Sequence, residues 1–107
     1  MSIVYYTKDG KFESDGNSIP WRKIHRVDGP AITDSFGTKQ WWQNGEKHRL
    51  DGPAVIYNLI TTCPYNRVKW YINGKELNKK EVETWIKNNN INLKTKQHQA
   101  LFMLRFG

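Results

Sequence analysis

His25-Arg26-Val27-Asp28-Gly29-Pro30-Ala31 recurs as His48-Arg49-Leu50-Asp51-Gly52-Pro53-Ala54, 23 positions further on and with one residue changed in seven. In a chain of 107 residues such a repeat is either a chemical device used twice or the corner of a structural unit used twice. Its internal chemistry favours a corner. Pro cannot donate to a strand ladder, Gly permits unusual φ, and an Asp side chain can cap a turn. Asp28-Gly29-Pro30 and Asp51-Gly52-Pro53 therefore interrupt one strand before the next begins, at "AIT" (31–33) and "AVIY" (54–57).

A second signal lies between the corners. "WWQNGEK" at 41–47 and "WYINGKE" at 70–76 each place an aromatic pair before Asn-Gly, and "YYTKDGK" at 5–11 is a fainter copy. Asn44-Gly45 and Asn73-Gly74 suit two-residue type I′ turns, which need positive φ at both central positions. Glu46 to Leu50 would then run back from its turn. Each unit is one hairpin that cannot bury its own apolar face, so stacked units must share a core. The expectation is a β-rich α+β fold: an antiparallel β-hairpin repeat meander of about six to eight short strands.

The last unit departs from the pattern. Instead of a third His-Arg-x-Asp-Gly-Pro, "WYINGKEL" is followed by "NKKEVETWIKNNN". Asn78 with Glu81 forms a capping-box-like start, Val82, Trp85 and Ile86 fall at helical spacing, and 88–90 supplies a stop. A second helix from Thr95 would turn Leu101, Phe102 and Leu104 inward, although "ALFMLRF" also reads as a strand. One or two C-terminal helices thus cap the sheet. The expected organisation is one domain over 1–107, with an N-terminal hairpin (1–16), hairpin repeats (17–77) and a helical cap (78–107). "TTCPYNR" at 61–67 reads as an exposed loop.

Composition narrows the function classes. Hydrophobic residues make up 37% of the chain, with five Trp, five Tyr and four Phe, which is packing material for a folded domain. Against 10 Asp and Glu stand 17 Lys and Arg, a formal charge of +7 that favours acidic partners. A single cysteine, Cys63, leaves no internal disulfide and suits a reducing cytoplasm. "MSIVYYTKDG" lacks the pattern of a signal peptide and no apolar run is long enough to span a bilayer, so a cytoplasmic location without membrane partners is expected.

"WWQNGEKHRLDGPAVIY" with "KWYINGKEL" resembles the aromatic-x-Asn-Gly-x-x-His-Arg-x-Asp-Gly-Pro-Ala repeats of small proteins from tailed bacteriophages and giant viruses. Those in turn look like distant relatives of MORN repeats, which are β-hairpin units. The resemblance covers roughly residues 17–77. It implies an interaction surface for proteins or acidic lipids without catalysis, and phage origin would imply a role in host takeover or counter-defence. His-Arg-x-Asp stands here where the MORN repeat has a Gly-rich turn.

Two readings of the motif residues follow. As chemistry, His25 and His48 would be general bases, oriented by Asp28 or Asp51, with Arg26 and Arg49 holding an anion, as in a small nuclease. As structure, Arg49 and Asp51 share a strand face and pair beside the turn, while His48 donates a ring N–H to a nearby carbonyl. Repetition favours structure, because an active site is assembled once and a corner is needed in every unit. The spacing of His25, His48, His98 and Cys63 matches no zinc site, and no phosphate loop or nucleophile elbow is present, so neither metal nor cofactor is expected.

The adjacent pairs Trp41/Trp42 and Trp70/Tyr71 should each place one ring in the core and one outside. With His25, His48, Arg26, Arg49, Lys47 and Lys69, they are the candidate binding residues. Arg22 and Lys23 would join them if they share that face. The primary expectation is a non-enzymatic binding protein that holds a host protein with an acidic surface, inhibiting or redirecting a host process. The alternative is a binder of nucleic acid or an anionic nucleotide. An open sheet edge would also allow a homodimer.

Overall fold

The computed structural model describes residues 3–15, 18–57 and 68–107. The 61–67 segment and Cys63 lie outside them. From the N-terminus the strands are β1 (Ile3–Thr7), β2 (Gly10–Ser14), β3 (Ile32–Thr33), β4 (Lys39–Gln40) and β5 (Trp42–Gln43). They continue as β6 (Glu46–Lys47), β7 (Val55–Ile56), β8 (Val68–Ile72) and β9 (Lys75–Leu77), before the helices α1 (Lys79–Asn88) and α2 (Lys96–Phe106). A 3-10 turn, Trp21–Lys23, lies between β2 and β3.

Seven strands form one antiparallel sheet in the order β2-β1-β3-β4-β7-β8-β9, and β5 with β6 forms a separate two-stranded ribbon. The Asn-Gly pairs close the ribbon and the β8–β9 hairpin as expected. Asn44 (φ 52°), Gly45 (φ 79°), Asn73 (φ 48°) and Gly74 (φ 81°) all take the left-handed conformation that a type I′ turn requires. In the first hairpin Thr7 pairs with Gly10, so the turn falls on Lys8-Asp9.

The return strand of the ribbon is shorter than the expected run to Leu50. It stops at Lys47 because the Arg49 N–H leaves the ribbon and donates to the Tyr71 carbonyl of the next unit (3.2 Å). The aromatic strand divides its pairing in the same way. Lys39 and Gln40 belong to the large sheet and Trp42 and Gln43 to the ribbon. Between them the Trp41 N–H donates to Ala54 (2.7 Å) and the Trp41 carbonyl accepts from His48 (3.0 Å).

Residues directly opposite each other share a face. The row Phe12, Tyr5, Ile32, Gln40, Val55 and Lys69 therefore marks one face of the sheet, and Trp70, next to Lys69, points to the other. Each face has its own core. On the first, Ile19, Ile24, Ala31 and Ile32 are buried with Ile3, Tyr5 and Trp42 around them. On the second, Trp70, Ile72 and Leu77 of the last hairpin meet Val82 of α1, Leu93, and Phe102 and Phe106 of α2.

Both helices start at the residues that the sequence marks. Asn78 Oδ1 accepts from the Glu81 N–H (3.0 Å), and Thr95 Oγ1 accepts from the His98 N–H (3.2 Å). Residues 96–106 are helical, but their inward face differs from expectation. Phe102 and Phe106 are buried, whereas Leu101 is half exposed and Leu104 is 82% exposed. The contiguous apolar run 101–104 does not by itself choose a face. The choice falls to the rings waiting on the sheet and α1: Trp70 lies edge-on to Phe102 (5.7 Å) and Trp85 edge-on to Phe106 (5.5 Å).

Candidate functional site

The two copies of the motif build one contact set twice. In the first, Arg26 Nε–H donates to Asp28 Oδ1 (3.0 Å), Nη1–H donates to the Pro30 carbonyl (3.1 Å), and the guanidinium lies 4.0 Å from the Tyr6 ring centre. In the second, Arg49 donates to Asp51 Oδ1 (2.7 Å) and the Pro53 carbonyl (3.0 Å), and lies 3.8 Å over Trp41. Gly29 and Gly52 complete the corner by leaving room. A Cβ on either would stand 3.0 Å from the Arg Cζ.

Each corner is held between two successive aromatic strands. The His25 N–H donates to Tyr6, and the Arg26 N–H donates to Trp42 of the following unit (both 2.9 Å). The His48 N–H likewise donates to Trp41 (3.0 Å), and the Arg49 N–H to Tyr71 (3.2 Å). The imidazoles close the same gap. The Asn44 N–H donates to His25 Nδ1, and the Asn73 N–H to His48 Nδ1, both at 3.0 Å. Next to these, the Gly45 N–H donates to Ile24 and the Gly74 N–H to Lys47, both at 2.8 Å. The motif is thus a connector that ties one hairpin to the Asn-Gly turn of the next.

This corrects the expected direction of the histidine hydrogen bond. His48 accepts at Nδ1 from a backbone N–H and does not donate there to a carbonyl, so the ring carries its proton on Nε2. Burial pushes the His48 pKa below its usual 6.5, with the Glu46 charge opposing. Neither aspartate orients an imidazole, because each is held by its arginine. The Arg26 hydrogen bond keeps the Asp28 carboxyl below its ordinary range. The arrangement of the small-nuclease reading, a histidine base oriented by an aspartate beside an anion-holding arginine, is therefore not formed at either corner.

The correspondence of units also shifts by one residue in the first. Arg26 covers Tyr6 and Arg49 covers Trp41, so Tyr6 and Trp41 are equivalent, and Tyr5 takes the opposite face. In the last unit no arginine follows, and Trp70 packs against Phe102 instead. Trp70 is buried, while Trp41, Trp42 and Tyr71 are half-buried. A groove of about 550 Å³ separates the two corners, lined by Asp28, Trp41, His48, Arg49, Asp51 and Gln99.

On the opposite face the remaining candidates form a strip. Trp21 of the 3-10 turn, 49% exposed, lies 5.7 Å from Trp42 between ring centres. Lys47 Nζ stands 5.6 Å from the Trp42 ring centre and 4.9 Å from that of Tyr71. Burial and the Glu76 charge raise the Tyr71 phenol above its usual range, and Lys69 makes a long ion pair with Glu76 (4.0 Å). The strip unites Trp42, Lys47, Lys69 and Tyr71 and separates them from Arg26, Arg49, Trp41 and Trp70. Trp21 was absent from the sequence-derived set, although its position after Pro20 in a basic stretch, "IPWRK", was a usable signal.

Among the described residues no three His, Cys, Asp or Glu side chains gather to hold a metal ion, and no helix is long and apolar enough to cross a membrane. Comparison with protein-family models, with curated proteins and with solved structures finds no match.

Proposed function

We propose that the protein is a non-enzymatic binding module that holds a protein with an acidic surface through the Trp21–Trp42–Lys47–Tyr71 strip. The observation that carries this reading is the strip itself: exposed and half-exposed rings interleaved with a lysine, on a chain of formal charge +7. Protein contact suits it better than base stacking. Trp42 is already contacted by Trp21 and Lys47, and Tyr71 by Lys47, so the row offers amphipathic knobs where a nucleic-acid platform needs open ring faces. Trp42, Lys47 and Tyr71 are carried on hydrogen-bonded strands, which lowers the ordering cost of binding. The resemblance of the repeat to those of phage proteins would make the partner a host protein whose process is inhibited or redirected.

The test compares immobilised wild type with a Trp21→Ser/Lys47→Glu variant of unchanged circular dichroism, using nuclease-treated bacterial lysate across a salt series. The expected result is one protein retained at near-equimolar yield by wild type and lost by the variant. Capture that needs nucleic acid, collapses steeply with salt, or survives in the variant would overturn the reading.

A further inference from the structure

The end of the molecule that carries the first Asn-Gly turn holds a second recess, of about 500 Å³, lined by Thr7, Lys8, Asp9, Arg22, Lys23, His25 and Asn44. We propose that this recess is a binding site for a phosphate group, carried by a free phosphate or by a nucleotide. The proposal goes beyond the aromatic strip and stands whether or not that strip holds a protein.

Three observations converge on it. First, two separate segments supply the positive charge: Lys8 from the β1–β2 turn, and Arg22 and Lys23 from the 3-10 turn. Among the described residues no ion pair joins any of the three to a carboxylate. Second, His25 accepts the Asn44 N–H at Nδ1, which fixes its proton on Nε2 and leaves the ring a donor on its other side. Thr7 Oγ1 accepts the Asp9 N–H (3.0 Å), so its hydroxyl hydrogen is likewise free of that bond. Third, the segment is positioned by packing. The Gly45 N–H donates to Ile24 (2.8 Å), and Gly45 lies so close to the backbone of Arg22 that a Cβ there would meet its carbonyl oxygen at 2.5 Å.

The second unit provides the internal control. Aligned on the motif, Arg22-Lys23-Ile24-His25 corresponds to Gly45-Glu46-Lys47-His48. The corner forms equally well there with a glycine and a glutamate in the two places, so the fold does not demand the cations at 22 and 23. Their charge is surplus to the corner and lines a recess in the first unit alone. Asp9 is the single opposing carboxylate, and it sets the limit on affinity for an anion.

The experiment is an amide-resolved NMR titration of the full chain at low ionic strength, with inorganic phosphate and, separately, a nucleoside diphosphate. Saturable shifts confined to Thr7–Asp9, Arg22–His25 and Asn44 are expected with at least one of the two. Tighter binding of the nucleotide would identify a nucleotide as the source. Equal binding would identify the phosphate group alone. Arg22→Gln/Lys23→Glu, which copies the charge pattern of the second unit at exposed positions, should weaken binding by about tenfold or more, and Asp9→Asn should tighten it. Shifts that never saturate, that spread evenly over the lysines of the surface, or that persist in the double variant would overturn the proposal.

Discussion

The two corners have the same atoms in the same relation and differ in how much water reaches them. Arg49 is 15% exposed and its Asp51 partner 45%, against 28% and 85% for Arg26 and Asp28. His48 is buried and His25 half-buried. The inner corner rests on a tryptophan and faces the array on both sides, while the outer rests on a tyrosine near the end of the sheet. A shared motif therefore does not carry a shared energy: pairing in a drier place is stronger and costs more to leave half made.

Arg49→Ala is expected to have the largest effect. It removes the stack on Trp41 and leaves Pro53 and Asp51 without their donor, for about 3–4 kcal/mol by urea unfolding. Gly45→Ala comes next, at about 2–3 kcal/mol, since it adds left-handed strain to an overlap with the Arg22 backbone. Its counterpart Gly74→Ala should lose only about 1 kcal/mol. There the Cβ would meet the Glu46 carboxylate (2.8 Å), the end of a flexible side chain that can move away. Arg26→Ala at the wetter corner is expected near about 1 kcal/mol. Equal losses for Arg49→Ala and Arg26→Ala would break the comparison.

The smallest expected effect is one of pH. The folded-state pKa of His48 lies below its ordinary 6.5, so the unfolded chain takes up the proton first. Stability is then complete above that value and declines as the pH falls below it. His48→Gln should reduce this slope, and unfolding curves at a series of pH values would show it.

Much of this was legible in the residues. Asn-Gly named its turns because few other pairs accept positive φ twice, and Asn78 and Thr95 named their helix starts by their cap chemistry. The Arg–Asp pairing two residues apart was also readable, although both pairs form in the corner itself, beyond the strand that was expected to carry Arg49. What the residues could not reveal were relations across long separations. The N–H that binds His48 belongs to Asn73, 25 residues away, so donor and acceptor could not be assigned beforehand. Leu101 and Leu104 are as apolar as Phe102, and only the rings of Trp70 and Trp85 decide which of them turns inward. The strip arose the same way, since Trp21 and Tyr71 are brought beside Trp42 and Lys47 by the stacking of units.

The central claim is that the repeated motif couples one hairpin to the next. Native-state hydrogen exchange on Arg49→Ala, read residue by residue, tests it most directly. Coupling predicts that the Asn73 and Gly74 amides lose protection together with His48, although they lie in the following unit. Faster exchange confined to residues 48–54, with Asn73 and Gly74 as protected as in the wild type, would contradict it.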